Sequence, residues 1–331
     1  MNFDVPVVLF LFKRKDTVFR ILDVISKIKP SKIYLLSDGG RNKEEHNIVL
    51  DVRSSIENYI NWDCEIIKKY AEKNIGVYHN IGGGAKWVLE REESAIFLED
   101  DNLPEISFFR FCEEMLVKYK NNDNILWVVG TNYLSEYSPS DDASYMFTKH
   151  MLPCGWASWS SKFSKFYDGK LELLNKKSAK DLKASFLNKK LYKQEILKYF
   201  KTKYTLENSI NLASWDAQIG FSLRYHGLYG ISPKFNQIKN IGVDQYSTHG
   251  GSSFDNPLTQ RFCELKTLEL SFPLNHPNQI SIDEEYEKKI SKIVLYPFKE
   301  RLKIFIMSFV KPILGIDKHE SFVHYLKKLK S

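Results

Sequence analysis

Short apolar runs alternate along the first 130 residues with longer segments in which apolar residues recur every three or four positions. Val18, Ile21 and Leu22 show this helical spacing, and Asp16 or Thr17 is the expected N-terminal cap. Alternating strands and helices are typical of a mostly parallel sheet that is covered by helices on both faces. We therefore predict an α/β fold with strands at 5–12, 32–37, 64–70, 94–99 and 125–130.

The regular alternation ends near residue 145. A Lys-rich stretch of helical character covers 176–204, and a second helical segment covers 211–227. A loop rich in Gly and Ser follows, and the chain contains no internal repeat or low-complexity tract. We interpret the chain as two halves of one domain followed by a C-terminal helical extension, with the boundaries 1–130, 131–260 and 261–331.

The composition excludes several classes of protein. No apolar run is long enough to span a bilayer, and the N-terminal segment lacks the small-residue cleavage site of a secretory signal. The four cysteines are far apart and form no CxxC pair, which argues against a zinc site and a disulfide framework. We expect reduced cysteines and a cytoplasmic protein. The cysteines are Cys64, Cys112, Cys154 and Cys263.

The net charge of +7 is concentrated in the C-terminal segment. Residues 287–331 contain 11 Lys and Arg against four Asp and Glu, and the other 286 residues contain 37 of each sign. Basic amphipathic helices of this kind lie on anionic membrane surfaces. We expect peripheral membrane contact through 287–331 at the inner face of the plasma membrane, and docking of this segment on the rest of the chain is the alternative. Nucleic acid is not an expected partner, because the remainder is neutral and carries no recognition motif.

Three consecutive carboxylates follow a predicted strand in the stretch AIFLEDDNLPEISFF, residues 95–109. Adjacent like charges repel unless a cation or polar hydrogens compensate them. Hard oxygen ligands with no Cys and little His nearby suit Mg²⁺ or Mn²⁺, completed by phosphate oxygens of a substrate. Glu99, Asp100 and Asp101 therefore indicate a metal and diphosphate site. The alternative is a solvated acidic turn that caps a helix starting near Pro104, since a helix dipole stabilises negative charge at its N-terminus.

Seven segments in a fixed order strengthen the interpretation of the three acids as a metal and diphosphate site. They are PVVLFLFKRKDTVFRILDVI, YLLSDGG, GAKWVLE, FLEDDNLPEISFFRFCEEML, LPCGWASW, SWDAQI and ISPKFNQIKNIGVDQYSTHGGSSF. Their order through residues 4–254 resembles that of the nucleotide-sugar-dependent glycosyltransferases of the GT-A fold, nearest to the inverting N-acetylglucosaminyltransferase I type. The resemblance implies a Rossmann-like, mostly parallel sheet flanked by helices. In such sheets, ligands lie beyond the carboxyl ends of the strands.

The resemblance also implies roles for individual residues. Asp101 would bind the metal directly, Asp100 would contact the ribose or a metal-bound water, and Glu99 would face the donor sugar. Arg14 would reach the uracil or a phosphate, and Asp38 would accept a hydrogen bond from the uracil N3–H. The ion would stabilise the charge of the departing diphosphate. Ordinary loop charges are the alternative for Arg14 and Asp38.

Two further groups are candidates for phosphate binding and proton transfer. Lys86 follows three glycines and would neutralise a phosphate, although no Gly-Lys-Ser/Thr pattern supports a P-loop. Asp216 is the candidate general base, because one carboxylate near the acceptor hydroxyl suffices for in-line displacement with inversion. We expect the neighbouring Trp215 to lower the local dielectric and to raise the pKa of Asp216. A surface acid on a helix is the alternative for Asp216, and Asp244 is the substitute base.

Three further residues have two interpretations each. His249 lies in the Gly- and Ser-rich loop, as a metal or phosphate ligand or as a solvated histidine. Trp156 and Trp159 would stack on sugar faces or belong to the core.

The sequence as a whole predicts a metal-dependent inverting glycosyltransferase. It would use Mn²⁺ or Mg²⁺ and transfer a hexosyl or N-acetylhexosaminyl group, most simply from a UDP-sugar, to a bacterial surface glycan or a lipid-linked oligosaccharide. One alternative is a sugar-nucleotide nucleotidyltransferase, which usually needs a Gly-rich signature that FKRKDT lacks. The other is a non-catalytic sugar- or membrane-binding module of the same fold.

Overall fold

The predicted alternation of strands and helices is present in a computed structural model that describes residues 3–210, 214–244, 257–322 and 325. The strands are β1 (Val7–Leu11), β2 (Lys32–Ser37), β3 (Glu65–Tyr70), β4 (Ser94–Glu99), β5 (Asn102–Pro104), β6 (Ile125–Val129), β7 (Tyr145–Thr148), β8 (Trp156–Trp159), β9 (Tyr229–Pro233) and β10 (Ile238–Asn240). The helices are α1 (Lys15–Ile28), α2 (Lys43–Tyr59), α3 (Gly83–Leu89), α4 (Ile106–Lys118), α5 (Ser160–Phe166), α6 (Lys176–Asp181), α7 (Lys189–Glu207), α8 (Asp216–Tyr225), α9 (Pro257–Phe262), α10 (Glu284–Val294) and α11 (Phe298–Ile313). A π-helical turn, Tyr78–Gly82, precedes α3, and a 3₁₀ turn, Leu182–Ser185, follows α6.

Eight strands form one mixed sheet in the order β3-β2-β1-β4-β8-β6-β9-β7. The first four of these strands are parallel to one another, β6 and β9 are parallel, and β8 and β7 run antiparallel to their neighbours. A second, two-stranded sheet pairs β5 with β10 in antiparallel register. The prediction of an α/β fold with a mostly parallel sheet and a C-terminal helical extension is confirmed.

Helices cover both faces of the large sheet, as the alternating pattern predicts. On one face, α1, α2 and α4 contribute buried residues such as Ile21, Val52 and Phe108 to the core. On the other face, α3, α8 and α10 contribute residues such as Val88 and Ile219. A third, smaller core lies between α7, α8 and the segment before them. Because both faces are covered, β1 and the interiors of β2 and β4 are continuous apolar runs, whereas the edge strand β3 is only half-buried and carries Glu65, Lys68 and Lys69.

One local prediction near the acidic motif is wrong, and a second is correct but incomplete. Helix α1 begins at Lys15, and Arg14 precedes it without a capping hydrogen bond from its side chain, so neither Asp16 nor Thr17 is the cap. A helix does start close to Pro104, since α4 begins at Ile106, but the chain first forms the short strand β5. Arg14 and β5 are engaged by segments more than 80 residues away, which no local pattern shows.

The segments on either side of residue 130 share one sheet. Strand β8 lies between β4 and β6 and pairs with both of them, and β9 pairs with β6. The two predicted halves are therefore interleaved at the level of the sheet, which brings the loops after β4 and before α8 to a common region.

The C-terminal extension divides into a docked helix and an exposed one. Helix α10 buries Tyr286, Glu287 and Ile290 against the sheet, whereas α11 has no buried residue. In the described part of the chain, no helix combines the length and the apolar character needed to cross a membrane.

Candidate active site

The acidic motif and Arg14 meet because the strands that carry them are neighbours. Strands β1 and β4 are adjacent and parallel, and Phe10 of β1 is in register with Glu99 of β4. The residues that follow each strand therefore emerge at the same carboxyl edge of the sheet. Arg14 comes from the loop after β1, and Asp100 and Asp101 from the loop after β4. This edge is where ligands bind in open α/β sheets.

The guanidinium of Arg14 joins three carboxylates from two segments that are far apart in the chain. Nη1 donates to Asp100 Oδ1 at 2.9 Å and to Asp101 Oδ2 at 3.2 Å. Nε donates to Asp244 Oδ2 at 2.9 Å, Nη2 donates to Asp244 Oδ1 at 3.3 Å, and Nη2 also reaches the carbonyl of Gly242 at 3.4 Å. We call Glu99, Asp100, Asp101 and Asp244 the acidic cluster.

The acidic cluster holds more negative charge than Arg14 can balance. Burial raises the pKa of Asp100 to about 6, and the charge of Asp101 adds to this effect, although Arg14 opposes both. Burial also raises the pKa of Asp101. Burial and the charges of Asp101, Asp100 and Asp216 hold the pKa of Glu99 well above its ordinary range. Burial would by itself lower the pKa of Arg14, but Asp100 and Asp101 outweigh it and raise the pKa, so the guanidinium stays charged.

The small β5–β10 sheet fixes the position of Asp101. Asn102 and Asn240 are opposite each other in this sheet, and the Ile241 amide donates to the carbonyl of Asp101 at 2.9 Å. Asn102 Nδ2 donates to Asp101 Oδ1 at 2.6 Å. A Cβ on Gly242 would lie 2.3 Å from Asp101 Oδ2, so only glycine permits the chain to pass this close to the carboxylate.

Asp216, the predicted base, is the first residue of α8 and is held by two donors. Lys198 Nζ donates to Oδ2 at 2.6 Å, and Ser214 Oγ donates to Oδ1 at 2.6 Å. Burial would lower the pKa of Lys198, but Asp216 and Glu195 outweigh it and raise the pKa, so the ammonium remains charged beside Asp216. The predicted neighbour Trp215 is buried, yet an ion pair dominates the surroundings of this carboxylate.

The charge of Asp216 acts on the acidic cluster. Burial raises the pKa of Glu99, and the charges of Asp101, Asp100 and Asp216 add to this effect. Asp216, at the start of α8, is therefore near enough to the end of β4 to influence Glu99 electrostatically.

Asp38 lies at the carboxyl end of β2, but its carboxylate serves the protein's own backbone. Oδ1 accepts from the amides of Gly39 at 2.8 Å and Ile75 at 2.7 Å. Oδ2 accepts from Asn74 Nδ2 at 3.0 Å and from the Gly76 amide at 3.0 Å. These four donors occupy the acceptor positions of a carboxylate. The predicted acceptance from uracil N3–H would have to displace one of them, and in this structure Asp38 joins the loop after β2 to the segment 74–76.

Lys86 is exposed on α3, whose buried side packs on the sheet through Gly84, Ala85 and Val88. The preceding turn lies against the candidate base region, since a Cβ on Gly82 would lie 2.9 Å from Tyr167 Oη and 3.6 Å from Trp215 Cβ. The structure brings the start of α3 toward the acceptor side, and it leaves Lys86 on the outer face of the helix.

The sugar-stacking interpretation of the two tryptophans is wrong. Trp156 is 1% exposed and is stacked between Phe97 and Trp127, with ring centroids 3.9 and 4.1 Å away. Trp159 is buried as well, and its Nε1 donates to the carbonyl of Leu116 at 2.9 Å. Both belong to the core, because β8 lies inside the sheet between β4 and β6.

Other residues of the site have no clear signal in the sequence. Lys198 lies in a Lys-rich helix in which nothing distinguishes it from its neighbours, and Asn240 and Gly242 gain their importance only from β5. Asp244 was expected as a substitute base, and its carboxylate instead binds Arg14. His249 lies outside the described residues, so its predicted role as a ligand remains a prediction.

The donor chemistry of the acidic cluster fits a hard divalent cation. Its side chains offer carboxylate oxygens only, and burial, together with neighbouring carboxylates, raises the pKa values of Glu99, Asp100 and Asp101. Mg²⁺ and Mn²⁺ prefer this type of ligand. In the described ranges, no three His, Cys, Asp or Glu side chains are already arranged as ligands of one ion, and the Arg14 guanidinium lies between the carboxylates.

Comparisons with known proteins find likeness only among solved structures. No family model matches the chain, and no curated protein matches it. Residues 1–349 of TarS from S. aureus align over 71% of this chain and 59% of that chain, with 10% identity and a TM-score of 0.39. The mannosyltransferase PcManGT from Pyrobaculum calidifontis, in complex with GDP-Man and Mn²⁺, aligns over 68% of this chain and 70% of that chain, with 9% identity and a TM-score of 0.37.

A third structure is the glucosyl-3-phosphoglycerate synthase from Mycobacterium tuberculosis in complex with Mn²⁺, UDP and phosphoglyceric acid. It aligns over 48% of this chain with 11% identity and a TM-score of 0.30, and the match spans 56% of the synthase's own length. TM-scores this low carry no argument about the family or the activity of this chain. The fold class follows from the sheet and helices themselves.

Proposed function

We propose that the protein is a divalent-metal-dependent glycosyltransferase that uses a nucleotide-sugar donor, with UDP as the nucleotide, and inverts the anomeric carbon. The observation that carries the proposal is the acidic cluster at the carboxyl edge of β4, where buried carboxylates outnumber the single guanidinium of Arg14. A site with this surplus charge and with Asp216 facing it is suited to a metal–diphosphate and an acceptor hydroxyl. The relationship to the inverting N-acetylglucosaminyltransferase I type is part of the proposal.

Asp101 and Asp100 are the residues that would hold the ion. When bound, the ion supplies Lewis-acid stabilisation of the departing diphosphate. Arg14 has the charge and the fork geometry to pair with a phosphate, and it is already positioned at the cluster by Asp244. Glu99, whose pKa is raised by burial and by the charges of Asp101, Asp100 and Asp216, would face the donor sugar.

Asp216 would accept the proton of the acceptor hydroxyl as that oxygen attacks the anomeric carbon. Lys198 and Ser214 hold one carboxylate oxygen each, so the orientation of the carboxylate is fixed before the acceptor arrives. Asp244 is less suited to this task, because both of its oxygens accept from Arg14. A fixed carboxylate on the acceptor side is what inversion by a single displacement requires.

The acceptor is proposed to be a growing bacterial surface glycan or a lipid-linked oligosaccharide, with a hexosyl or N-acetylhexosaminyl group transferred. The support for a membrane-proximal acceptor is the surplus of seven positive charges in 287–331. Such a surplus would bring the protein to an anionic bilayer where lipid-linked acceptors are found.

Calorimetric titration of UDP with and without Mn²⁺ tests the site. We expect UDP binding to require Mn²⁺, and we expect Asp101→Asn to abolish the metal-dependent part. Asp63→Asn, which changes an exposed acid after α2, is the matched control and should bind as the unaltered protein does. Metal-independent UDP binding that survives in Asp101→Asn would contradict the proposed site.

Incubation with UDP-, GDP- and CMP-sugars then tests the reaction. We expect slow hydrolysis of one donor, reduced by about 10²–10³-fold in Asp101→Asn, because such electrostatic contacts often contribute that much. Donor binding without turnover would indicate a non-catalytic module. Synthesis of a nucleotide sugar from a nucleoside triphosphate and a sugar phosphate would instead indicate a nucleotidyltransferase.

A further inference from the structure

Helix α11 carries an apolar surface that the described part of the chain does not cover. Six large apolar side chains on it are between 44% and 83% exposed. At 100° per residue, they fall within an arc of about 100° on one side of the helix. Two of them, Phe305 and Phe309, touch edge to face with ring centroids 4.9 Å apart. We call this set the apolar face of α11: Phe298, Leu302, Phe305, Ile306, Phe309 and Ile313.

The opposite side of α11 contacts the segments that flank it. Arg301, Ile304, Met307 and Lys311 are partly buried there. Arg301 Nε donates to the carbonyl of Tyr296 at 3.1 Å, and Lys311 Nζ donates to the carbonyl of Glu320 at 2.6 Å. These contacts join α11 to the residues just before and just after it, and the apolar face lies on the exposed side of the helix.

Exposed apolar residues elsewhere in the described ranges do not form such a surface. Leu50, Val117 and Leu187, for example, belong to different elements, and each is accompanied by polar neighbours. Single exposed apolar side chains are ordinary, whereas a contiguous patch on a monomer marks an interaction site. The apolar face of α11 is the patch that needs a partner.

The charges around the face favour an anionic lipid surface. Helix α11 contains four basic residues and one acidic residue, and the basic side chains Lys299 and Lys303 are exposed next to the face. Aromatic and aliphatic residues on one side with Lys and Arg beside them are typical of helices that lie in a membrane interface. Two copies of the chain joined through this face would bring the same cations together, which is unfavourable.

We propose that α11 lies in the plane of an anionic bilayer, with its apolar face inserted at the boundary of headgroups and acyl chains and with Lys299 and Lys303 beside lipid phosphates. This inference rests on the proposed function, since it names the element and the lipid chemistry of the membrane contact proposed there. It also narrows the apolar part of that contact to α11, because the apolar side of α10 is buried against the sheet through Tyr286 and Ile290.

Vesicle flotation with the full chain tests this inference. We expect binding to vesicles of phosphatidylcholine mixed with phosphatidylglycerol, and much weaker binding to phosphatidylcholine alone. Phe305→Ser/Phe309→Ser should weaken the binding by at least about tenfold, because one inserted aromatic side chain typically contributes about a factor of ten. Lys299→Ala/Lys303→Ala should weaken it by about fivefold per lysine at low salt, and less at high salt.

Val117→Ser, on α4, is the matched control, because this residue is 74% exposed but stands apart from α11. Its binding to vesicles should equal that of the unaltered protein. The inference would be overturned if the Phe305→Ser/Phe309→Ser variant bound anionic vesicles as strongly as the unaltered protein does. A stable dimer in analytical ultracentrifugation that this variant dissociates would overturn it as well, by showing a second copy as the occupant.

The failure of this inference and the failure of the proposed function give different results. UDP and Mn²⁺ binding does not involve α11, so the Phe305→Ser/Phe309→Ser variant should retain it. Loss of vesicle binding with intact UDP binding supports the inference. If the unaltered protein binds UDP with Mn²⁺ and ignores anionic vesicles, the inference is wrong and the proposed chemistry stands.

Discussion

Two buried groups of charged side chains in this protein are balanced in opposite ways. In the acidic cluster, Arg14 alone faces several carboxylates, and the pKa of Asp100 is raised to about 6 by burial and by Asp101. Around Glu287 on α10, a single carboxylate faces more donors than it needs. Burial would raise the pKa of Glu287, but its partners outweigh burial and lower it.

The partners of Glu287 come from β7, from the two residues that follow it and from α8. Thr148 Oγ1 donates to Oε2 at 2.7 Å, and the Lys149 amide donates to the same oxygen at 3.2 Å. Arg224 Nη2 lies 3.6 Å and His150 Nε2 lies 3.5 Å from Oε1. We call these residues the Glu287 cluster. It ties α10 to β7 and α8, and its charges are satisfied without any further group.

The difference teaches how to separate a structural polar group from a functional one. A buried carboxylate whose pKa is lowered has all its partners within the protein and contributes to folding. Carboxylates whose pKa values are raised store electrostatic repulsion, which a bound cation would relieve. By this criterion the Glu287 cluster is a docking element, and the acidic cluster is a binding site.

The largest expected effect concerns stability and sharpens the contrast directly. Glu287→Gln should lower the free energy of unfolding by about 3 kcal/mol, because removal of one partner from a buried ion pair leaves the others uncompensated. Asp101→Asn removes surplus charge at nearly the same shape, so it should cost less than about 1 kcal/mol or stabilise the fold. Urea unfolding at neutral pH measures both values. A larger loss for Asp101→Asn than for Glu287→Gln would break the comparison.

A smaller effect is expected when the single cation of the acidic cluster is removed. Arg14→Gln should lower the free energy of unfolding by about 2 kcal/mol at neutral pH, because the carboxylates then repel one another without compensation. Mn²⁺ should restore part of this loss, and it should raise the melting temperature of this variant more than that of the unaltered protein.

Arg20→Gln, on the exposed side of α1, is the control for that measurement. It should change neither the free energy of unfolding nor the rise of the melting temperature with Mn²⁺. Thermal unfolding with and without Mn²⁺ measures both quantities. An Arg14→Gln variant that is as stable as the unaltered protein and indifferent to Mn²⁺ would show that the cluster carries no surplus charge.

The smallest effect is a pH dependence of opposite form in the two clusters. The pKa of Asp100 in the folded protein, about 6, lies above its ordinary value of 3.8. Between these two pH values the folded state binds more protons than the unfolded state, so the unaltered protein gains stability as the pH falls. At pH 7 the charged Asp100 destabilises the folded state, and Asp100→Asn should therefore be the more stable protein. This advantage should shrink between pH 7 and pH 5, by on the order of 1 kcal/mol.

Glu287 behaves in the opposite way. Its pKa is lowered from 4.5 in the folded protein, so its contribution is fully present above that value and is lost only as the pH falls further. The deficit of Glu287→Gln should stay constant between pH 7 and pH 5. Urea midpoints of the three proteins across this range measure both trends, and a constant advantage of Asp100→Asn would contradict the first of them.

The sequence predicted the strands closely where packing follows a simple rule. The expected runs 32–37 and 94–99 coincide with β2 and β4, and 125–130 differs from β6 by one residue. The interiors of these strands are buried on both faces, so an uninterrupted apolar run marks each of them. The short strands β5 and β10 escaped prediction because three residues are too few for a period, and each is stabilised by the other from far along the chain.

The candidate site was predicted in part for a similar reason. Acids directly after a buried strand can be recognised in the sequence, because the residues that follow a strand in the chain must lie in the loop at its end. The tryptophans were misjudged, because an aromatic residue near Gly and Ser has the same local pattern whether it faces solvent or the core. Lys198 could not be singled out, because its role depends on the packing of α7 against α8.

By itself, the sequence determined the α/β alternation, the three acids at the end of β4 and the location of the surplus positive charge. These features depend on local periodicity and on composition, which the chain carries residue by residue. Only the tertiary structure decided that Arg14 would pair both with those acids and with Asp244, 230 positions away, and that α10 would dock while α11 stays exposed. The order of strands in the sheet sets such long-range contacts, and no local pattern encodes that order.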